Sequence, residues 1–323
     1  MNAILAKLKL KANSETVDII KTASIFIIMV IFATILSKGT ILQPRNIVNL
    51  LNQNAILLLI ALAQFLVILS GGIDLSVGAI TAICSIIIVQ YQDVGLFVVL
   101  FLAALAAAII GFINGAIVTY RRLPAFVVTL AMMQIVYSLS KVISGGKPVY
   151  SSLSGKEIDP RLLALFQTKI FGISYPIIIC IIAIVIVSLY MRTSYGRNIY
   201  AIGGNEMTAH LSGLPVKFVK VSVYIIAAIL ATAGSALVVA RVGMGDPNTG
   251  DLLPLDSIAA VTIGGASMTG GVGTVAGTIL GVLILSVLSN IMSLLNIPPT
   301  IQPAVKGVII LLAVYMNSRK KRA

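Results

Sequence analysis

The chain has 323 residues, 59% of them hydrophobic and 10% charged, with a mean hydropathy of +1.07; a soluble domain carries roughly 25% charged residues, so a water-soluble globule is excluded. The formal net charge of +13 does not indicate a nucleic-acid partner, because the lysines and arginines stand at the ends of apolar runs and not in one patch. Apolar runs of about 18 to 25 residues recur throughout, each able to cross a hydrocarbon core roughly 30 Å thick as a helix, and the alternating segments of about 10 residues that a barrel needs are missing.

An all-α, polytopic transmembrane helical bundle is therefore expected, with about ten spans in one domain over 1–323. The spans fall near 22–40, 46–69, 75–92, 95–119, 124–143, 173–191, 218–241, 255–268, 274–294 and 301–316. Lys7, Lys9 and Lys11 precede the first run as in a signal peptide, but Ser37-Lys38-Gly39 is a poor cleavage site, so a retained first span is expected. In the second run Asn49, Gln53 and Gln64 are spaced to share one helical face within about 40°. Unpaired amides are costly in lipid, so that face either lines a translocation pathway or bonds to another helix; Asn114, in the fourth run, carries the same two readings.

Asp74, in "SGGIDLSVGAI", opens the third run, and Asp256, in "LPLDSIAAV", opens the eighth. Each follows a Gly or Pro turn, where helix capping explains a carboxylate at least as well as an ion relay. These two segments lie on opposite sides of the bundle, so spans two to five and seven to ten are read as possible inverted repeats. Cys84 and Cys180 sit inside apolar runs without metal-ligand spacing and are read as packing residues. Gly111 and Gly115, then Gly273, Gly277 and Gly281, recur every fourth residue, which lines one helix face and lets backbones approach closely.

Between the sixth and seventh runs stands "GGNEMTAHLSGLP", with the only histidine, His210. Asn205 is a good N-cap, Glu206 suits the N-terminal dipole, and Gly213 with Pro215 ends the helix, leaving one to two turns from Glu206 to Ser212. Met207 and Leu211 share a face at i and i+4, and so short a helix is marginal in water unless it docks. It either rests on the membrane surface or inserts its apolar tip into a partner. The eighth run is short and passes into "GGASMTGGVG", a broken span that survives only beside protein or a water-filled cavity.

Ten spans put both termini on one side. With the N-terminus inside, fourteen of the 23 lysines and arginines are cytoplasmic, which gives N-in and C-in. Catalytic signatures are missing. A lone histidine cannot build an H-E-x-x-H zinc site, Gly265-Ala266-Ser267 has no base near its depth, and no G-x-x-x-x-G-K-[ST] phosphate loop occurs. The chain is expected to hold no metal or cofactor and to be no enzyme; if ATP drives it, another subunit supplies the nucleotide site.

Five motifs in order, "SGGIDLSVG", "YRRLPAFVVTLAMM", "GRNIYAIGGNEMTAHLSGLPV", "LDSIAAVTIGGASMTGGVGT" and "AVKGVIILLAV", resemble the permease subunits of ribose-type ABC importers over nearly the whole chain. The resemblance implies a non-catalytic permease dimer in the plasma membrane of a prokaryote, the inner one where there are two. It implies ATP and Mg on partner ATP-binding subunits, and an external sugar-binding protein that delivers the solute. Residues Gly203 to Gly213 would correspond to the cytoplasmic coupling helix, with Gly203, Gly204, Asn205, Glu206, Met207, His210, Leu211 and Gly213 at the partner contact. An ion-coupled secondary transporter of a small polar solute is the alternative. It would favour a buried acid midway through a span, whereas Asp74 and Asp256 stand at span ends.

Overall fold

The computed structural model describes residues 2–308. Its helices are α1 (Asn2–Leu36), α2 (Pro44–Leu69), α3 (Val77–Gln90), α4 (Leu96–Tyr120), α5 (Ala125–Ser144), α6 (Pro160–Gln167), α7 (Tyr175–Arg192), α8 (Ser194–Gly204), α9 (Glu206–Leu211), α10 (Val216–Val242), α11 (Leu253–Ile263) and α12 (Val275–Leu294). A two-stranded antiparallel hairpin, β1 (Lys169–Ile170) and β2 (Ile173–Ser174), pairs Lys169 with Ser174 and Ile170 with Ile173 just before α7.

Seven described helices are long and apolar enough to cross a membrane, namely the stretch Ile19–Leu36 of α1 together with α2, α4, α5, α7, α10 and α12. The third and eighth expected spans are shorter helices, α3 with 14 residues and α11 with 11. At 1.5 Å per residue these reach only about 21 and 16 Å, less than a hydrocarbon core. Of the tenth expected span, 301–316, residues 302–308 are helical and 309–316 lie outside the described residues. Among the described residues the expected spans thus comprise seven long apolar helices and two shorter apolar ones, α3 and α11.

Apolarity all round a helix signals burial on all sides, and the centre of the bundle follows that rule. From Ala55 to Leu69 α2 is buried at every position but one, and in α3 only Ile87 and Gln90 are not. Around this pair α10 packs on α2, α3 and α4, while α11 and α12 pack on each other and on α2. The outer helices keep large apolar side chains exposed, among them Phe97, Phe101 and Phe112 on α4 and Ile182, Ile186 and Leu189 on α7. Such a surface is compatible with lipid and not with water.

Glycines set the closest helix contacts. A Cβ at Gly111 would lie 2.5 Å from the Tyr224 carbonyl oxygen, one at Gly115 2.8 Å from Val221 Cα, and one at Gly281 1.9 Å from the Ala260 carbonyl oxygen. Gly277 faces Gly264 at 2.1 Å on the same measure, and Gly273, at φ 152°, faces Ala266. These approaches hold α4 on α10 and α12 on α11, backbone against backbone. Polar links fasten the rest. Asn46 and Asn290 exchange side-chain hydrogen bonds at 3.0 and 3.1 Å between α2 and α12, and Ser235 donates to the Thr81 carbonyl at 2.8 Å between α10 and α3. Both cysteines are buried and free, Cys84 in α3 and Cys180 in α7.

Candidate functional site

The chain leaves the bundle between α7 and α10 as two short helices. Thr193 caps α8 by accepting from the Gly196 N–H, and Asn205 caps α9 by accepting from the Thr208 N–H at 2.9 Å. These satisfy donors that a helix start otherwise leaves open. The end of α9 is closed by Gly213 at φ 78°, with hydrogen bonds from the Gly213 N–H to the His210 carbonyl at 3.0 Å and from the Leu214 N–H to the Ala209 carbonyl at 3.1 Å. A left-handed residue just past a helix end is a glycine position.

One face of α9 is seated by buried Ala209, and its opposite face stands in the open: Met207 is 67% exposed and Leu211 79%. His210 and Gly213 are exposed beside them. Glu206 is not a free dipole partner, because its Oε2 accepts from Lys220 Nζ of α10 at 2.8 Å. Gly203 and Gly204 lie in the last turn of α8 and not on α9. Gly204 is exposed, whereas Gly203 is pressed against the bundle, where a Cβ would lie 1.8 Å from the Leu69 carbonyl oxygen.

The four amide residues do not form one surface. Asn49 and Gln53 are exposed on the first half of α2, while Gln64 and Asn114 are fully buried. Gln64, with its amide turned as its neighbours require, donates to the Asp74 carbonyl at 3.0 Å and accepts from the Asp74 N–H at 3.2 Å. Asn114 donates to Ser76 Oγ at 2.8 Å, and Ser76 donates from both its N–H and its hydroxyl to Asp74 Oδ1. Thr129 of α5 accepts from the Leu75 N–H at 3.1 Å. Asp74 thus folds the tight turn from α2 into α3 rather than capping α3 directly, and α2, α4 and α5 converge on that turn.

Asp256 sits in the first turn of α11 and pairs with Lys306 Nζ at 2.9 Å, both side chains 19% exposed. Sequence reasoning placed Lys306 within a span but left it unpaired; two opposite charges in separate apolar segments were the available signal. It also gave no role to Tyr200, whose hydroxyl donates to the Gly273 carbonyl at 2.8 Å. No group of three or more His, Cys, Asp or Glu able to hold a metal ion occurs among the described residues.

A helical bundle with lipid-compatible walls, short interrupted helices inside it and a capped helix projecting from one end is a membrane permease in architecture, multi-pass in the plasma membrane. The family described as "Branched-chain amino acid transport system / permease component" matches residues 46–314. The chain belongs to that family. It is 39% identical to the ribose import permease protein of Bacillus subtilis, covering 91% of this chain and 90% of the relative. It is 34% identical to the L-arabinose ABC transporter permease protein of Azospirillum brasilense (93% and 88% covered) and 31% to the xylose transport system permease protein of Escherichia coli (93% and 91%). No solved structure matches.

Proposed function

We propose that this chain is the membrane-spanning subunit of an ATP-driven importer of a monosaccharide or related polar solute, and that α9 is the point where the ATP-binding subunit engages it. The observation that carries the reading is the capped six-residue helix α9, seated through Ala209 and salt-bridged to α10 while offering Met207 and Leu211 to the outside. A solitary helix of this length gains little from remaining exposed, and two apolar side chains one turn apart suit a partner's apolar cleft. The sugar class is supported by the relatives, named for ribose, L-arabinose and xylose, each similar along nearly the whole chain.

On this reading α9 faces the cytoplasm, both termini are cytoplasmic, and the loop with α6 and the hairpin faces outside. A second copy completes the permease, an external sugar-binding protein delivers solute, and the partner subunits hold ATP and Mg. This chain contributes no covalent chemistry. ATP binding closes the partner subunits, α9 moves with them, and the bundle changes the side to which it opens; hydrolysis resets it. An inverted repeat is supported by the two hairpins α2–α3 and α10–α11, each a long helix followed by a turn and a short one. The starts of the two short helices meet where Gly78 packs against Gly250 and Pro254.

The reading is tested by co-purification with the ATP-binding subunit and uptake in reconstituted vesicles. Wild type should assemble and accumulate solute only with ATP, whereas Met207→Asp with Leu211→Asp should abolish both. Survival of assembly and uptake in that variant refutes the docking assignment. Uptake driven by a proton gradient without ATP refutes the importer reading, and a panel of pentoses, hexoses and nucleosides identifies the solute.

A further inference from the structure

Behind α9 three backbones meet without side chains between them. Gly203 near the end of α8 abuts the Leu69 carbonyl at the end of α2 and the Gly271 nitrogen in the loop from α11 to α12, and a Cβ on it would lie 1.8 Å from the first and 2.6 Å from the second. The Gly271 N–H donates to that same Leu69 carbonyl at 2.9 Å. A Cβ on Gly270 would stand 2.7 Å from the Gly203 carbonyl oxygen and 2.9 Å from Gly71, and one on Gly271 2.6 Å from Gly204. The Tyr200 hydroxyl adds a hydrogen bond to Gly273, and Tyr195 on the same helix bonds Ser222 of α10.

Side-chain contacts absorb small displacements by changing rotamer. Backbone pressed on backbone has no such slack, and close-packed interiors shift as rigid bodies or not at all. The Leu69–Ser76 turn, gripped at this junction, is fastened on its other side by Gln64, by Asn114 of α4 and by Thr129 of α5. Gly72 in that turn packs against Tyr224 of α10, with a would-be Cβ 2.5 Å from the hydroxyl oxygen.

We propose that the Gly203–Leu69–Gly271 junction is the relay that converts displacement of α9 into movement of the α2–α3 turn and of the loop between α11 and α12. Gly203 and Gly271 are positioning residues for coupling, acting inside the chain and not at the partner surface. The proposal rests on the docking of the ATP-binding subunit at α9. Partner movement pushes α9, α9 carries α8 through Asn205, and α8 delivers the motion to both segments together. The hydrogen-bonded turn then distributes it to α4 and α5.

The test is solute moved per ATP hydrolysed, measured on the assembled transporter in vesicles. A methyl at position 203 must open the contact with Leu69 by about an ångström or more. In the transporter that assembles, Gly203→Ala should therefore lower solute moved per ATP hydrolysed at least tenfold. Tyr200→Phe removes one hydroxyl and no packing volume, and should lower the same ratio two- to fivefold; it decides the matter if Gly203→Ala fails to assemble. An unchanged ratio in an assembled Gly203→Ala transporter, or in Tyr200→Phe where the alanine variant does not assemble, overturns the relay and leaves docking intact. Failure of wild type itself to bind the ATP-binding subunit overturns the docking reading and the relay with it.

Discussion

Truncating the α9 tip gives the sharpest quantitative expectation. Full burial of a leucine or methionine side chain is worth about 1.5–3 kcal/mol, and Met207 and Leu211 are 67% and 79% exposed in the isolated chain. Docking that covers them therefore gains about 1–2 kcal/mol from each, or about 2–4 kcal/mol together. Met207→Ala with Leu211→Ala should weaken association with the ATP-binding subunit about 30- to 700-fold, since about 1.4 kcal/mol is tenfold in affinity. The assay is titration of the fluorescent ATP-binding subunit onto the chain in nanodiscs. Thermal unfolding of the chain alone should scarcely change, because the removed atoms pack against little of it. Phe171→Ala, at the fully exposed tip of the hairpin beside α6, serves as the control and should leave the affinity unaltered. A loss below threefold in the double variant would show that α9 does not bury its apolar face in the partner.

Four further outcomes follow from individual contacts. Asn205→Ala removes the cap of α9 at a cost of about 1 kcal/mol, and should raise amide exchange at Glu206 to Thr208 without altering exchange in α10. Gly281→Val places side-chain atoms where the Ala260 carbonyl stands, 1.9 Å from a Cβ, and should separate α11 from α12 and sharply lower the unfolding temperature in detergent. Asp256→Asn leaves Lys306 without its counter-charge in a mostly buried site, a loss on the order of 3 kcal/mol; Lys306→Met added to it should recover much of the stability, which thermal melts can read. In the loop before α7, the Arg161 hydrogen bonds hold the Asp159 carboxyl below its ordinary range. A depressed carboxylate stabilises the fold above its unfolded pKa of about 3.9 and loses that contribution as pH falls through the lower folded value. Amide protection factors in α6, corrected for the intrinsic pH dependence of exchange, should thus fall on acidification below about pH 4, and Asp159→Asn should show no such dependence.

What local chemistry dictates was legible in the residue order. The apolar runs of α2, α4, α7, α10 and α12 need no partner to be recognised, because a hydrocarbon core demands length and apolarity whatever the neighbours are. The boundaries of α9 were readable for the same reason: the Asn205 cap and the Gly213 stop act within a few residues of themselves. The five ordered motifs likewise carried the family. Long-range pairing was not legible. Nothing within "LPLDSIAAV" indicates that Asp256 meets Lys306 fifty residues later, and the spacing of Asn49, Gln53 and Gln64 could not reveal that α2 passes from a partly exposed first half into an almost wholly buried second half. The glycines of "MTGGVG" read as a local break and those of "AIGGNE" as part of a partner contact, because a missing side chain does not record which backbone lies against it. Only the tertiary structure decides that Gly203 is bare because the Leu69 carbonyl stands against it, and Gly271 because the Gly204 backbone does. Periodicity and caps are written in neighbouring residues, whereas close approach depends on which distant backbone arrives, and that is settled when the whole bundle packs.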